Sequence, residues 1–396
     1  MDDLRRPKPL RTSLSATDSL VFRVLRLRFH PEERMAVAEA IASLSGDDLE
    51  VALRRARRLE VGPLFAKELL ALDAPAEVHT AAAGIYRENL ARNLFLKAET
   101  DSWVSALEAA GIPCRVLKGV YLSELLYSDL GAKSCADIDL LVRREDLDGA
   151  MDVAAVRGFR LADPTSGGPD DTDAKAYTLE STGDRRVPYF VDLHWELEVP
   201  MLISLGQEDF WHAPGARAPG GAMCDCAPEV PADLLGAFLC LHLWHHSMSL
   251  KALVDFAAFV RRYDEAMPGV EARFKRTRAR DGVALALILV CRVFGVRSCV
   301  LDHRHPKRLV LPWLESCAHL SVEARGRYLN VLVSPLRLEG FLLPFAATAR
   351  YLFRSGARDG GLRLRARVTR FGSSLSRAAS GGPLFTQRKV DHAKLV

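Results

Sequence analysis

From residue 36 the apolar positions of this chain recur at helical spacing. Ala36-Val37 through Leu44 and Val51 through Leu59 both carry the pattern, with Arg54, Arg55, Arg57 and Arg58 filling the intervals of the second run. A longer helical pattern covers Glu77 to Ala110 and is closed by Gly111-Ile112-Pro113, residues that break a helix. The period then changes. Cys114 to Leu117 predicts a short strand, Val120 to Leu126 a helix, Ile138 to Val142 a second strand, and Glu145 to Val156 a helix closed by Gly158. Ala174 to Leu179 and Val187 to Trp195 predict two more strands around a polar turn at Gly183-Asp184. After Val199 helical periodicity returns over Ala232 to His246, Leu250 to Tyr263 and Ala272 to Phe294.

Strand, helix, strand, helix and then strands predict an α/β (α+β) fold, a small mixed-sheet core flanked by N-terminal and C-terminal helical regions. The expected division is residues 1–110 as an N-terminal helical region, 111–199 as the core, 200–349 as a second helical region, and 350–396 as a basic tail. Gly206 to Pro231, rich in Gly, Pro and Ala, reads as a connecting segment, and no internal repeat is evident.

Composition narrows the class. The 396 residues are 49% apolar and 26% charged, which suits a globular chain with ample core. Eight scattered cysteines have no framework spacing, so free thiols in a reducing compartment are expected. The first residues hold no apolar stretch resembling a secretion signal. Val283 to Cys291, interrupted by Arg292, is too short to span a bilayer. A cytoplasmic protein with no membrane partner is the expectation. From Arg350 onward eleven Lys/Arg face two Asp/Glu, so a formal charge of +4 leaves the preceding body at about −5. Global charge therefore gives no case for a nucleic-acid-binding body. In the tail, Leu364, Val368, Phe371 and Leu375 form an apolar stripe if helical, expected to pack on the protein's own helices. An anionic membrane or an acidic acceptor is the other reading of that stripe, and a strand over Leu362 to Val368 is the alternative to the helix.

Chemistry concentrates around one triplet. Asp137 and Asp139 flank Ile138 and, two apart on a strand, share a face while Ile138 turns to the core. Two close carboxylates repel unless a cation sits between them, and a hard divalent ion such as Mg²⁺ suits them. On the later strand Asp192, His194 and Glu196 share a face, and Asp192 beside the first strand would complete a three-carboxylate site. Such a site can hold two metal ions, one activating a hydroxyl and one neutralising pyrophosphate. Before it, Leu117-Lys118-Gly119 ends a strand and opens a helix. Gly119 would let backbone N–H groups approach a phosphate, and Lys118 would add charge. His194 would orient a carboxylate, contact the acceptor or simply be a hydrogen-bonded histidine. Other candidates are weaker. His242, His245 and His246 share a helix face without the Glu of a zinc motif, and Cys224/Cys226 and His303/His305 are half-motifs without partners. Lys251 and Asp255 read either as a helix-surface ion pair or, for Lys251, as a cation that reaches a triphosphate.

The order Leu117-Lys118-Gly119, apolar helix, Tyr127, Gly131-Ala132-Lys133, Asp137 to Val142 and the later Val191-Asp192-Leu193-His194-Trp195 resembles the DNA polymerase β-type nucleotidyltransferase superfamily. Within it, the pattern is similar to the bacterial branch of uncharacterised nucleotidyltransferases, strongly over about residues 112–197 and more loosely beyond. Lys133 stands where that branch has Arg, and Cys135 at a position usually small or polar. The resemblance implies a nucleotidyltransferase core and transfer of a nucleoside monophosphate from an NTP, ATP included, to a hydroxyl or phosphate acceptor. Asp137, Asp139 and Asp192 would be the catalytic and metal-binding residues, and Lys118, Gly119, Lys133 and Lys251 would bind nucleotide. The cofactor expected is two Mg²⁺ ions, with Mn²⁺ as substitute. The acceptor (small molecule, peptide or RNA) and the oligomeric state are not indicated. Two alternatives stand beside this reading: a catalytically weak nucleotide-binding adaptor, and a nucleic-acid-modifying transferase that uses the basic tail.

Overall fold

A computed structural model describes residues 16–163, 175–182, 187–197, 231–245, 249–275 and 280–300, with Pro169, Glu208 and Trp211 beside them. Helices α1 (Ala16–Arg26), α2 (Arg34–Ala42), α3 (Gly46–Arg58) and α4 (Gly62–Leu70) precede the long α5 (Ala76–Ala109). The core then runs β1 (Cys114–Val116), α6 (Val120–Tyr127), β2 (Asp137–Val142), α7 (Leu147–Val156), β3 (Phe159–Leu161), β4 (Ala176–Ser181) and β5 (Phe190–His194). Helices α8 (Ala232–His245), α9 (Leu250–Arg262), α10 (Met267–Lys275) and α11 (Arg280–Phe294) follow. No described helix is long and apolar enough to cross a membrane.

The strands form one mixed sheet in the order β1-β2-β5-β4-β3, with β2 and β5 parallel and the other neighbours antiparallel. Burial explains why β2 reads as a continuous apolar run. Ile138, Leu140, Leu141 and Val142 are all buried, as expected for a central strand covered on both faces. The fold class is the mixed α/β arrangement expected. Two details differ from the sequence reading. The strand β3 was not expected; three residues with Arg160 in the middle are too few for alternation to show. Its Phe159 nevertheless packs edge-on against Trp103 at 5.0 Å between centroids. Of the helix expected over Ala272–Phe294, the end of α10 and all of α11 are described, and residues 276–279 between them lie outside the described residues. Asp255, read as a surface partner of Lys251, is buried and pairs with Lys133. Of the segment Gly206–Pro231 only Glu208, Trp211 and Pro231 are described; the tail stripe, Cys224, Cys226, His246, His303 and His305 lie outside the described residues.

Two devices join the core to the helices. The first is a row of side chains on α5. Asn89 Nδ2 donates to the carbonyls of Gly131 (2.8 Å) and Lys133 (2.9 Å), and Asn93 Nδ2 to those of Leu130 (2.6 Å) and Lys133 (2.8 Å). Arg92 adds bonds of 3.2 Å to the carbonyls of Cys135 and Ala136. A loop buried under a helix would otherwise leave its carbonyls unsatisfied. The approach is close enough that a Cβ on Gly131 would meet the Tyr86 ring at 2.7 Å, so a larger residue there would have to displace that ring. This loop delivers the chain to Asp137.

The second device is a buried polar knot. Asp255 on α9 accepts from the Tyr127 hydroxyl at 2.6 Å and takes the Lys133 ammonium on its other oxygen. Arg28, from the segment after α1, donates to the Tyr127 carbonyl at 3.1 Å and lies over its ring. Breaking a buried ion pair on one side strands a charge. Asp255→Ala should therefore cost about 3–5 kcal/mol, read as a lower urea midpoint. Combining Asp255→Leu with Lys133→Met, which removes both charges, should recover much of that loss.

Candidate active site

The parallel register of β2 and β5 places Asp139 directly beside Asp192, with Ile138 beside Val191 and Leu140 beside Leu193. Alternation then sorts the two faces. Ile138, Leu140, Val191 and Leu193 are buried in the apolar layer. Asp137, Asp139, Asp192 and His194 share the opposite face.

Ahead of β2, the turn that carries Lys118 is fixed by its backbone. Leu117 N–H donates to the Asp139 carbonyl at 3.0 Å, which continues the β1–β2 ladder by one residue. Gly119 then takes φ 68°, ψ −135°, a conformation favourable only to glycine, and α6 starts at Val120. From this turn Lys118 Nζ reaches Asp139 Oδ1 at 2.9 Å. His194 Nε2 lies 3.3 Å from the same oxygen. Asp192 Oδ1 accepts from the hydroxyl of Thr178, its cross-strand neighbour on β4, at 2.7 Å.

The electrostatics follow from burying several charges together. Burial raises Asp137 first, and the neighbouring Asp139 charge adds to it, so its carboxyl is pushed up to about 6. Asp192 is raised for the same two reasons in the same order. For Asp139 burial works upward too, but Lys118 and His194 outweigh it and hold the carboxyl well below the usual carboxylate range. Lys118 is the converse case: burial opposes its charge, yet Asp139, Asp137 and Asp192 together push its pKa above the usual lysine range.

Asp139, Asp192 and His194 offer ligand atoms that all lie within 4.8 Å of one another. Asp139 Oδ2 is buried and has no hydrogen-bond partner, and neither has His194 Nδ1. An orphaned buried carboxylate oxygen beside a second carboxylate suits a divalent cation, which would satisfy it. The chain's own residues therefore fit a metal, and the group that converges includes His194 beside two of the three expected carboxylates. Asp137 lies next to it, close enough to respond to Asp139, Lys118 and Asp192.

The expected nucleotide-binding residues separate. Lys118 and Gly119 sit at the site. Lys251, on α9, keeps its side chain 24% exposed, with Nζ 3.9 Å from Glu60 Oε2. Burial opposes its charge, but Glu60, then Cys135, Asp137 and Asp255, raise its pKa, so it faces the same acidic region. Lys133 is buried against Asp255 instead. The ring of His242 lies by Phe238, with centroids 6.2 Å apart; the His245 side chain lies outside the described residues. Sequence reasoning set the role of His194 no higher than that of an ordinary hydrogen-bonded histidine. The available signal was its position two after Asp192 on one strand face.

A mixed sheet whose neighbouring strands β2 and β5 bring carboxylates together behind a glycine turn, with a lysine on the buried carboxylate, suits a nucleotidyltransferase with a candidate metal site. The model of a family of uncharacterised nucleotidyltransferases matches residues 45–295, and the chain belongs to that family. It is accordingly an enzyme, a nucleotidyltransferase, with a candidate divalent-metal site. No curated protein and no solved structure matches the chain.

The raised Asp137 gives a signed prediction for stability. Its proton is bound more tightly in the folded chain than at the ordinary value of 3.8. Stability therefore falls as pH rises between about 4 and about 6 and stays lowered above that window. With metal chelated, Asp137→Asn should be more stable than wild type at pH 7 by roughly 1–3 kcal/mol, the gap closing towards about pH 4. Asp139 has the opposite sign. Its contribution is present above the ordinary carboxylate range and lost as pH falls below it, so Asp139→Asn should be less stable at pH 7. Urea titrations at the two pH values read both.

Proposed function

We propose that this enzyme transfers a nucleoside monophosphate from an NTP to a hydroxyl or phosphate acceptor and releases pyrophosphate. The observation that carries the reading is the pairing of Asp139 with Asp192 in register, with a buried, unpartnered Asp139 oxygen in the same group as the Asp192 carboxylate and the His194 imidazole. Asp139 and Asp192, with Asp137 and His194 beside them, would hold Mg²⁺, two ions in the full complex, with Mn²⁺ as a substitute that also tolerates the nitrogen donor. Bound there, the metal supplies Lewis-acid charge at the transferring phosphoryl group.

The chain's own residues do the rest. Gly119 leaves the turn before α6 open to a close-lying phosphate, at the positive end of that helix. Lys118 contributes its charge from the same turn, and Lys251 contributes from the helical side. Asp192, raised by burial, is placed to take the acceptor's proton. Lys133 acts one step removed, locking α9, which carries Lys251, to the core through Asp255. Catalysis in such a site is mostly positioning and fixed charge.

Incubation with each labelled NTP, Mg²⁺ and a cell extract tests the reading by which molecule becomes labelled. Label should come from an NTP with pyrophosphate released. Asp139→Ala and Asp192→Ala should each cut the rate by about 10²–10³-fold or more. Undiminished transfer in both variants would remove the site from the reaction. Lys251→Ala separates its role in steady state: phosphate contact made equally in ground and transition states should raise KM with kcat little changed.

A further inference from the structure

Lys118 holds the position a metal would have to share. Its ammonium lies 2.9 Å from Asp139 Oδ1, an oxygen that also faces His194 Nε2 at 3.3 Å. The other oxygen of the same carboxylate is buried without a hydrogen-bond partner, and Asp139, Asp192 and His194 each offer a ligand atom within 4.8 Å of one another. A divalent ion gathered by those residues would share the Asp139 carboxylate with the ammonium and come within a few ångströms of it. Like charges at that separation in a buried site repel strongly.

The backbone of Lys118 cannot relieve the conflict. It is pinned by the bond from Leu117 N–H to the Asp139 carbonyl on one side and by the Gly119 turn on the other. The side chain, 18% exposed, can move. An anion held at the start of α6, where phosphate oxygens are favoured, would attract it out of the site.

We propose that Lys118 is an internal counter-ion that guards the metal-binding oxygens of Asp139 against the free ion and transfers to the triphosphate when metal arrives with nucleotide. The enzyme then takes its metal as a metal–nucleotide complex. This rests on the proposed metal–nucleotide reading of the site.

Mn²⁺ binding to the full chain, followed by the paramagnetic signal of the free ion, tests it with and without α,β-methylene-ATP. Lys118→Gln keeps an N–H donor for Asp139 but not the charge. It should bind free Mn²⁺ about tenfold or more tighter than wild type, and the Mn²⁺ complex of the analogue about tenfold or more weaker. Lys118→Arg keeps the charge and should bind free Mn²⁺ as wild type does. Lys118→Gln binding free Mn²⁺ no more tightly than wild type overturns the proposal. An equal gain in Lys251→Met also overturns it, since net charge and not the seat of Lys118 would then govern. Should Lys118→Gln not fold, wild type alone decides against it if Mn²⁺ binds as tightly without the analogue as with it. Failure of every form to bind Mn²⁺, with or without the analogue, overturns the metal site itself and the function built on it.

Discussion

Two carboxylates paired at the middle of a buried sheet set the terms for the rest of this molecule. Asp139 and Asp192 are register partners on parallel neighbours, and that register is fixed from the other face of the sheet. Ile138, Leu140, Val191 and Leu193 are all buried there. A slip of one residue would turn the aspartates into the apolar layer and the leucines towards the site. Hydrophobic packing on one face therefore concentrates negative charge on the other. Burying unpaired carboxylates is costly, and the surroundings show how that cost is offset. Lys118 and His194 attend Asp139, and Thr178 attends Asp192. Asp137 has less compensation, and its raised pKa reflects that.

Holding such a face in place demands rigidity beyond the sheet. The loop from Leu130 to Ala136 would be a poor support by itself, because its carbonyls are turned towards a helix and away from water. Asn89, Arg92 and Asn93, spaced three and four apart on α5, satisfy those carbonyls with side-chain donors and so make the loop part of the helix surface. A long, stiff helix thereby fixes the entry to β2, and with it the direction of Asp137 and Asp139. Preorganisation of this kind is what a site that works by fixed charge requires.

The parts legible in the sequence were those whose signal is local. A short apolar run after the aspartates marked β2, alternation marked β5, helical spacing bounded α5 to within a residue, and Leu117-Lys118-Gly119 announced a turn that Gly119 does make. The shared face of Asp137 and Asp139 follows from strand period alone. What stayed hidden depends on partners distant along the chain. Lys133 and Asp255 are 122 residues apart, and nothing near either shows that they meet. Asn89 and Asn93 carry no signal of their own in the sequence; only the loop against them gives them work. The strand β3 is held by its neighbour β4 and by Trp103, not by a pattern of its own. For His194 the strand face was readable, but its closeness to Asp139 depends on β5 lying parallel to β2, a topological fact absent from either segment.

Lys133 and Lys251 show how burial divides residues that a sequence treats alike. Both were expected to serve as auxiliary cations for a triphosphate. Lys133 is buried against Asp255, and a pair of that kind adds little net stability while making its own rupture expensive. Its value lies in fixing where α9 sits. Lys251 lies one helical turn before Asp255 on that helix, partly exposed, with a distant partner in Glu60 and its charge felt at Asp137. The lock and the exposed cation are thus four residues apart on one rigid element. A shift of α9 that freed Lys133 would move Lys251 with it, so the buried pair sets the reach of the exposed one.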